Sequence, residues 1–265
     1  MFFHEYPLRE IFDLVSASGL DAMEFWVETP HFWVRNLPVE ELLSCIADNP
    51  GLAPITVHAP VLDLNPCSIN PGVAEVSRRD ITRAIEIAEQ AGASVVTVHP
   101  GRRTAKRTPS APDYERFERL IAMLRDASHK SGITISIENM EPKVNSLLCT
   151  PEDTRDLLDR EPWLSFTLDT SHALVKDLET LLTYIDLCHD RIANIHISRV
   201  ENGRMHLPIH GDPTMAAILE RLADLHYSRY LTLEIEDLNL GYEASAEDKV
   251  ILLERELRFM REHIS

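Results

Sequence analysis

The stretch Ile133-Thr134-Ile135-Ser136-Ile137-Glu138 alternates strictly between aliphatic and polar residues. Successive side chains of a β-strand point to opposite faces. The three isoleucines therefore share one face, and Thr134, Ser136 and Glu138 share the other. The same two-step pattern recurs on both sides of this run, as Thr56/His58, Thr97/His99, Thr167/Asp169, Asn194/His196 and Thr232/Glu234. Six consecutive strand candidates thus end in His, Asp or Glu, each with a small polar residue two positions earlier.

Around them, short β-rich runs alternate with helical stretches. The strand candidates are Phe2–His4, Ala22–Val27, Pro54–His58, Ser94–His99, Ile133–Glu138, Leu164–Asp169, Ile192–Ile197 and Tyr230–Ile235. Amphipathic segments separate them, among them Val73–Ala91, Asp113–Ser131, Pro151–Asp159, Val175–His189, Pro213–Leu225 and Ala246–His263. Pro7, Pro112, Pro151 and Pro213 suit first helical turns, and Gly19, Gly92 and Gly132 suit left-handed caps. Repeated β-then-α with no long linker predicts a parallel sheet covered by helices. Eight such units predict an α/β fold, a single (β/α)₈ TIM barrel spanning residues 1–265. Phe2–His4 is short against the usual strand of about 5 residues. This predicts an irregular first strand, or a start upstream.

The polar stripe would line the inside of such a barrel, which branched apolar side chains usually fill. Carboxylates buried there are costly unless they are paired or bound to metal. The strand ends also form the C-terminal face, where barrel active sites sit. Three histidines and three acids converging on that mouth have the composition of a divalent-metal site.

Composition limits the partners. The chain has 26 basic and 43 acidic residues, a net charge of −17. Such a field repels nucleic acid and anionic membranes at long range. No apolar run approaches the roughly 20 residues of a membrane helix, and the N-terminus lacks the pattern of a secretory signal. Cys45, Cys67, Cys149 and Cys188 lie far apart, which suits reduced thiols of a cytoplasmic protein.

Seven segments occur in this order: Val57-His58-Ala59-Pro60, Val98-His99-Pro100-Gly101, Ile137-Glu138-Asn139, Leu168-Asp169-Thr170-Ser171-His172-Ala173, Ile195-His196-Ile197-Ser198, His206-Leu207-Pro208-Ile209-His210 and Leu233-Glu234. The ordered set resembles the xylose isomerase-like TIM-barrel superfamily, which includes sugar isomerases and epimerases and the endonuclease IV family of AP endonucleases. The resemblance implies that Glu138, Asp169, His196 and Glu234 bind one divalent metal. It further implies that Glu138 and Glu234 transfer the proton through a metal-stabilised enediolate, and that His172 contacts substrate. The endonuclease branch implies a second metal on His58 and His99, bridged by Glu138, and a third on His172 and His206. The Asp expected two residues before His206 is replaced by Arg204, which cannot ligate a metal.

Three functions follow as expectations. The first is a metal-dependent isomerase or epimerase of a small sugar, polyol or sugar phosphate. The second is an endonuclease IV-like zinc phosphodiesterase acting on abasic DNA, disfavoured by Arg204 and the acidic balance. The third is a barrel that binds metal and ligand without catalysis. One to two ions of Zn, Mn or Co per chain are expected. Arg102, in the basic run Arg102, Arg103, Lys106 and Arg107, and Arg204 are candidates for an anionic substrate group. Asn139 is a candidate to orient Glu138 or bind substrate, His206 joins the substrate-binding set, and Glu24 reads equally as a structural residue. The substrate is a small molecule, nucleic acid is disfavoured, no membrane is involved, and an oligomer is allowed.

Overall fold

The computed structural model describes residues 2–264. Its first half runs α1 (Leu8–Ala17), β1 (Glu24–Trp26), α2 (Pro30–Trp33), α3 (Val39–Asp48), β2 (Thr56–His58), α4 (Pro71–Gln90), β3 (Val95–Val98), α5 (Ala111–Ser131) and β4 (Thr134–Glu138). The second half runs α6 (Pro151–Arg160), β5 (Ser165–Asp169), α7 (Thr170–Leu174), α8 (Leu178–Cys188), β6 (Ile192–Ile197), β7 (Arg199–Glu201), β8 (Arg204–Leu207), α9 (Pro213–Asp224), β9 (Tyr230–Leu233) and α10 (Ala246–His263).

Seven strands form one parallel sheet in the order β1-β2-β3-β4-β5-β6-β9. With the helices around it this is a nearly closed (β/α) barrel. The helices start where short polar side chains satisfy free backbone N–H groups. Ser110 with Asp113 and Ser245 with Asp248 form capping boxes on α5 and α10, and Asp212 accepts from Thr214 and Met215 at the start of α9. Helix α5 ends at Gly132, whose φ of 73° is the left-handed conformation that glycine adopts without strain. The aliphatic faces of the strands, Ile135 and Ile137 among them, are fully buried in one continuous core with the inner faces of the helices.

Two expectations need correction, and one element was not foreseen. Phe2–His4 is a turn, not a strand; the Tyr6 N–H donates to the Phe3 carbonyl at 3.1 Å. The buried Lys249 ammonium of α10 explains this. It donates to the Phe2 carbonyl at 2.7 Å and lies 4.9–5.7 Å from the ring centroids of Phe2, Phe3 and Tyr6. The turn, β1 and β9 together line a cavity of about 160 Å³ on the side where an eighth strand was expected. The helix expected over Val175–His189 starts later, at Leu178, where Asp177 caps α8 through the Thr180 N–H, and a short α7 ending at Leu174 precedes it. Finally, β7 and β8 form an antiparallel hairpin after β6 that the sequence pattern did not reveal.

Candidate metal centre

The inward stripe forms two layers. In the lower one, the Thr167 hydroxyl donates to Ser136 at 2.7 Å and lies 3.1 Å from the Thr97 hydroxyl. On the other side, the Thr232 hydroxyl donates to Asn194 Oδ1 at 2.9 Å. Asn194 Nδ2 and the Thr56 hydroxyl both donate to Glu24 Oε2, at 2.7 and 2.9 Å. These hydrogen bonds tie neighbouring strands and also span non-neighbours, from Thr97 of β3 to Thr167 of β5 and from Asn194 of β6 to Glu24 of β1, so they set the height and spacing of the residues above.

The upper layer centres on Glu138, which is 1% exposed. Its Oε2 lies 2.9 Å from His99 Nε2 and 3.3 Å from His58 Nε2. Its Oε1 lies 3.4 Å from His196 Nδ1 and 3.5 Å from His172 Nδ1. Glu234 Oε2 approaches His196 Nδ1 to 2.8 Å. Asp169 Oδ1 accepts the His172 backbone N–H at 2.7 Å, while Oδ2 stands 3.8 Å from His172 Nδ1 and 4.0 Å from His206 Nδ1. Four overlapping sets result, each with ligand atoms within 4.8 Å of one another: Glu138–Asp169–His196–Glu234, His58–His99–Glu138, Asp169–His172–His206 and Glu24–His58–His196.

The donor set fits a cation. Among the described residues, six buried side-chain polar atoms have no hydrogen-bond partner, and four of them lie here: Asp169 Oδ2, both ring nitrogens of His196 and Glu234 Oε2. Buried polar atoms are rarely left so. His196 Nδ1 and Glu234 Oε2 are close without hydrogen-bond alignment, as ligand atoms around a common ion are.

The charges agree. Burial opposes ionisation of Glu138, yet His99 and His196 hold its carboxyl well below the ordinary range. Glu234 is likewise held low against burial by His196 and His206. Burial and the Glu234 charge push Asp169 well up. Burial would lower His196, but Glu24, Glu234 and Glu138 together hold it well above the usual histidine value. His99 is lowered by burial, while the Glu138 carboxylate overcomes burial at His58 and raises it. Without a metal, a proton on His196 balances carboxylates that a divalent cation would neutralise.

The expected site residues divide. His58, His99, His172, His206 and Glu234 line a cavity of about 190 Å³, with Trp26 of β1 as a wall. His206 adopts φ 53°, an uncommon left-handed backbone for a non-glycine residue. Arg102 lines a second cavity that shares His99. Asn139 is fully buried and is not brought into the cavity lining. Its Nδ2 donates to the Asp169 carbonyl at 3.0 Å and its Oδ1 accepts the Asp169 N–H at 2.8 Å, so both amide ends position that peptide. Arg204 is not brought to the mouth either. It is exposed and donates to the Asn239 carbonyl at 3.2 Å, because the hairpin turns its side chain toward the loop after β9.

Glu24 is the residue that the sequence reading undervalued. Its Oε1 lies 2.9 Å from His196 Nε2, on the ring edge opposite the Nδ1 that meets Glu138 and Glu234. A carboxylate behind a ligand histidine fixes ring orientation and raises basicity. The alternation Glu24/Trp26, in register with Thr56/His58, is the signal that could have found it.

Known proteins share this architecture. MJ1188, an uncharacterized protein of Methanocaldococcus jannaschii, is 29% identical over 263 residues, 98% of this chain and 96% of its own. The crystal structure of a D-tagatose 3-epimerase-like protein superposes with a TM-score of 0.71 at 24% identity, covering 93% of this chain and 91% of that one. Endonuclease IV from Thermus thermophilus superposes at 0.68 and 19% identity, covering 96% and 94%. Likeness at these identities shows a common fold, which an epimerase-like protein and an endonuclease both use. A sequence-family description spanning residues 12–263 agrees with the barrel and its mouth, and the chain belongs to the xylose isomerase-like TIM-barrel family.

Proposed function

We propose that the chain is a divalent-metal-dependent isomerase or epimerase of a small sugar, polyol or sugar phosphate. One observation carries this reading: Glu138, Asp169, His196 and Glu234 converge, and three of the four leave buried atoms unpartnered. These four would hold the ion, and three carboxylates with an imidazole suit Mn, Co or Zn. When bound, the metal supplies Lewis-acid polarisation of a substrate carbonyl.

The chain's own residues supply the proton transfer. Glu138 and Glu234 reach the same His196 nitrogen, at 3.4 and 2.8 Å, and both are held ionised. Each is a base able to take a proton from carbon and return it. Removal by one carboxylate, and delivery of a solvent-derived proton from the opposite face by the other once it has been protonated, inverts the carbon; the first then releases its proton to solvent. His172 and His206 wall the same cavity and offer ring nitrogens to substrate hydroxyls, while Trp26 restricts water. A cavity of about 190 Å³ and a net charge of −17 favour a small substrate over a nucleic acid. Four unpaired thiols fit a reducing cytoplasm.

A second reading, zinc-dependent phosphodiester cleavage in abasic DNA, draws on the His58–His99–Glu138 set. Paired metals suit in-line displacement at phosphate. Elemental analysis of protein purified without added metal or chelator separates the two. About one Mn or Co per chain, with turnover of a ketose, supports the isomerase; two or more Zn with incision of abasic duplex supports the nuclease. Protein that takes up no metal after reconstitution removes both.

A further inference from the structure

The loops after β2, β3 and β4 enclose a cavity of about 370 Å³ beside the metal centre, with His99 in the wall of both. Arg102 and Lys106 enter it from one loop and Lys143 from another. The one carboxylate in its lining is Glu141, bound to Lys143 at 2.8 Å. Three cations against one carboxylate leave an excess of two positive charges in a chain whose net charge is −17.

Neighbouring arginines are committed elsewhere. Arg103 Nη1 donates to the Thr108 carbonyl at 2.7 Å and lies 3.4 Å from Asp113. Arg116 pairs with the same Asp113, and Arg78 donates to the Pro66 carbonyl at 3.1 Å. By contrast, no carboxylate of the described residues lies within ion-pair distance of Arg102 or Lys106, and neither side chain donates a hydrogen bond among them.

The loop carrying them is fixed in place. Asn65 Oδ1 accepts the Arg102 N–H at 3.1 Å and its Nδ2 donates to the Arg102 carbonyl at 2.9 Å, while Arg102 also bridges to Ser146. Gly101 sits at φ 76°, and a Cβ there would meet Asn65 at 3.0 Å and Cys67 at 3.2 Å, so the loop lies tight against the β2 loop. Ordering the backbone beforehand lowers the entropic cost of capturing an anion.

We infer that this cavity is a phosphate-monoester subsite, which makes the substrate a sugar phosphate whose hydroxyl or carbonyl end reaches the metal centre past His99. A phosphate monoester carries about −1.5 to −2 charges at neutral pH, which matches the excess here. Arg102 offers a fork of donors to its oxygens, and the lysines act as point charges. The inference rests on the small-molecule reading above and names its substrate class.

The test uses the full, Mn-loaded chain and three probes by calorimetry: D-ribulose 5-phosphate, D-ribulose and inorganic phosphate. The expected result is a preference of about tenfold or more for the phosphorylated ketose over the neutral one, with inorganic phosphate competing. In the Arg102→Ala/Lys106→Ala double variant that preference should fall to within about twofold, at unchanged metal content. Both side chains are exposed, so the fold should survive. Equal binding of the two ketoses, binding of neither, or a preference that survives in the variant overturns the inference. If abasic duplex DNA binds through these residues in place of the ketose phosphate, the inference is also overturned. Metal content makes the failures distinguishable. A chain that holds metal but shows no preference loses only this inference; a chain that holds no metal loses the isomerase reading with it.

Discussion

The two layers inside the barrel come from the same strands, often from residues two apart, yet they are finished differently. In the lower layer Thr97, Ser136, Thr167, Asn194 and Thr232 close their hydrogen bonds on one another. In the upper layer Asp169, His196 and Glu234 keep buried atoms that no protein group satisfies. A satisfied polar network rigidifies, whereas an unsatisfied one costs stability unless something binds it. The lower layer therefore reads as a foundation and the upper layer as a receptor. Glu24 belongs to both, with one oxygen held by Thr56 and Asn194 and the other turned to His196.

Disabling the receptor should cost most. Glu138→Gln should lower turnover by about 10³-fold, within the usual range for a lost acid–base group, and weaken metal binding while circular dichroism stays native. Full turnover with metal retained would end the assignment. Glu24→Gln tests the link between layers. It should weaken the metal by about 10- to 100-fold, as losing the carboxylate behind a ligand histidine does. Titration with Mn²⁺ measures this, and an unchanged affinity would make Glu24 purely structural.

The pH dependence sharpens the contrast. The raised His196 value stabilises the folded metal-free chain fully below the ordinary pKa of 6.5, and that contribution is lost as pH rises through the elevated folded value. A bound metal needs the ring neutral and displaces the proton. The thermal shift given by saturating Mn²⁺ should therefore grow from pH 6 to pH 8, by up to about 1.4 kcal/mol per pH unit for one proton. A shift independent of pH would show that no proton competes with the metal. The smallest effect belongs to the foundation. Thr167→Val should cost about 1–2 kcal/mol of unfolding free energy and leave metal stoichiometry untouched, as denaturant melts and elemental analysis would show.

The parts legible in the sequence are those with a local signature. Ile133–Glu138 shows why: period-two alternation assigns a face to every residue without knowledge of the partner strand. Six repeats of it located the six polar strand ends, and prolines and glycines marked several helix ends. The short first strand failed because Lys249, 247 residues from Phe2, captures the Phe2 carbonyl and turns the chain.

Side-chain direction at loops also escaped the sequence. Asn139 follows a ligand candidate, yet its amide is spent on the Asp169 backbone 30 residues away. Arg204 lies two residues before His206, but the hairpin points it outward. Glu24 gains its place from Asn194, 170 residues further on. The sequence by itself determined the β/α order, the inward stripe and the residue types at the barrel mouth, because these follow from side-chain alternation along single strands. Closing those strands around one axis decided which atoms meet, which are left unpartnered and which cations stand free beside them, because those contacts join residues far apart in the chain.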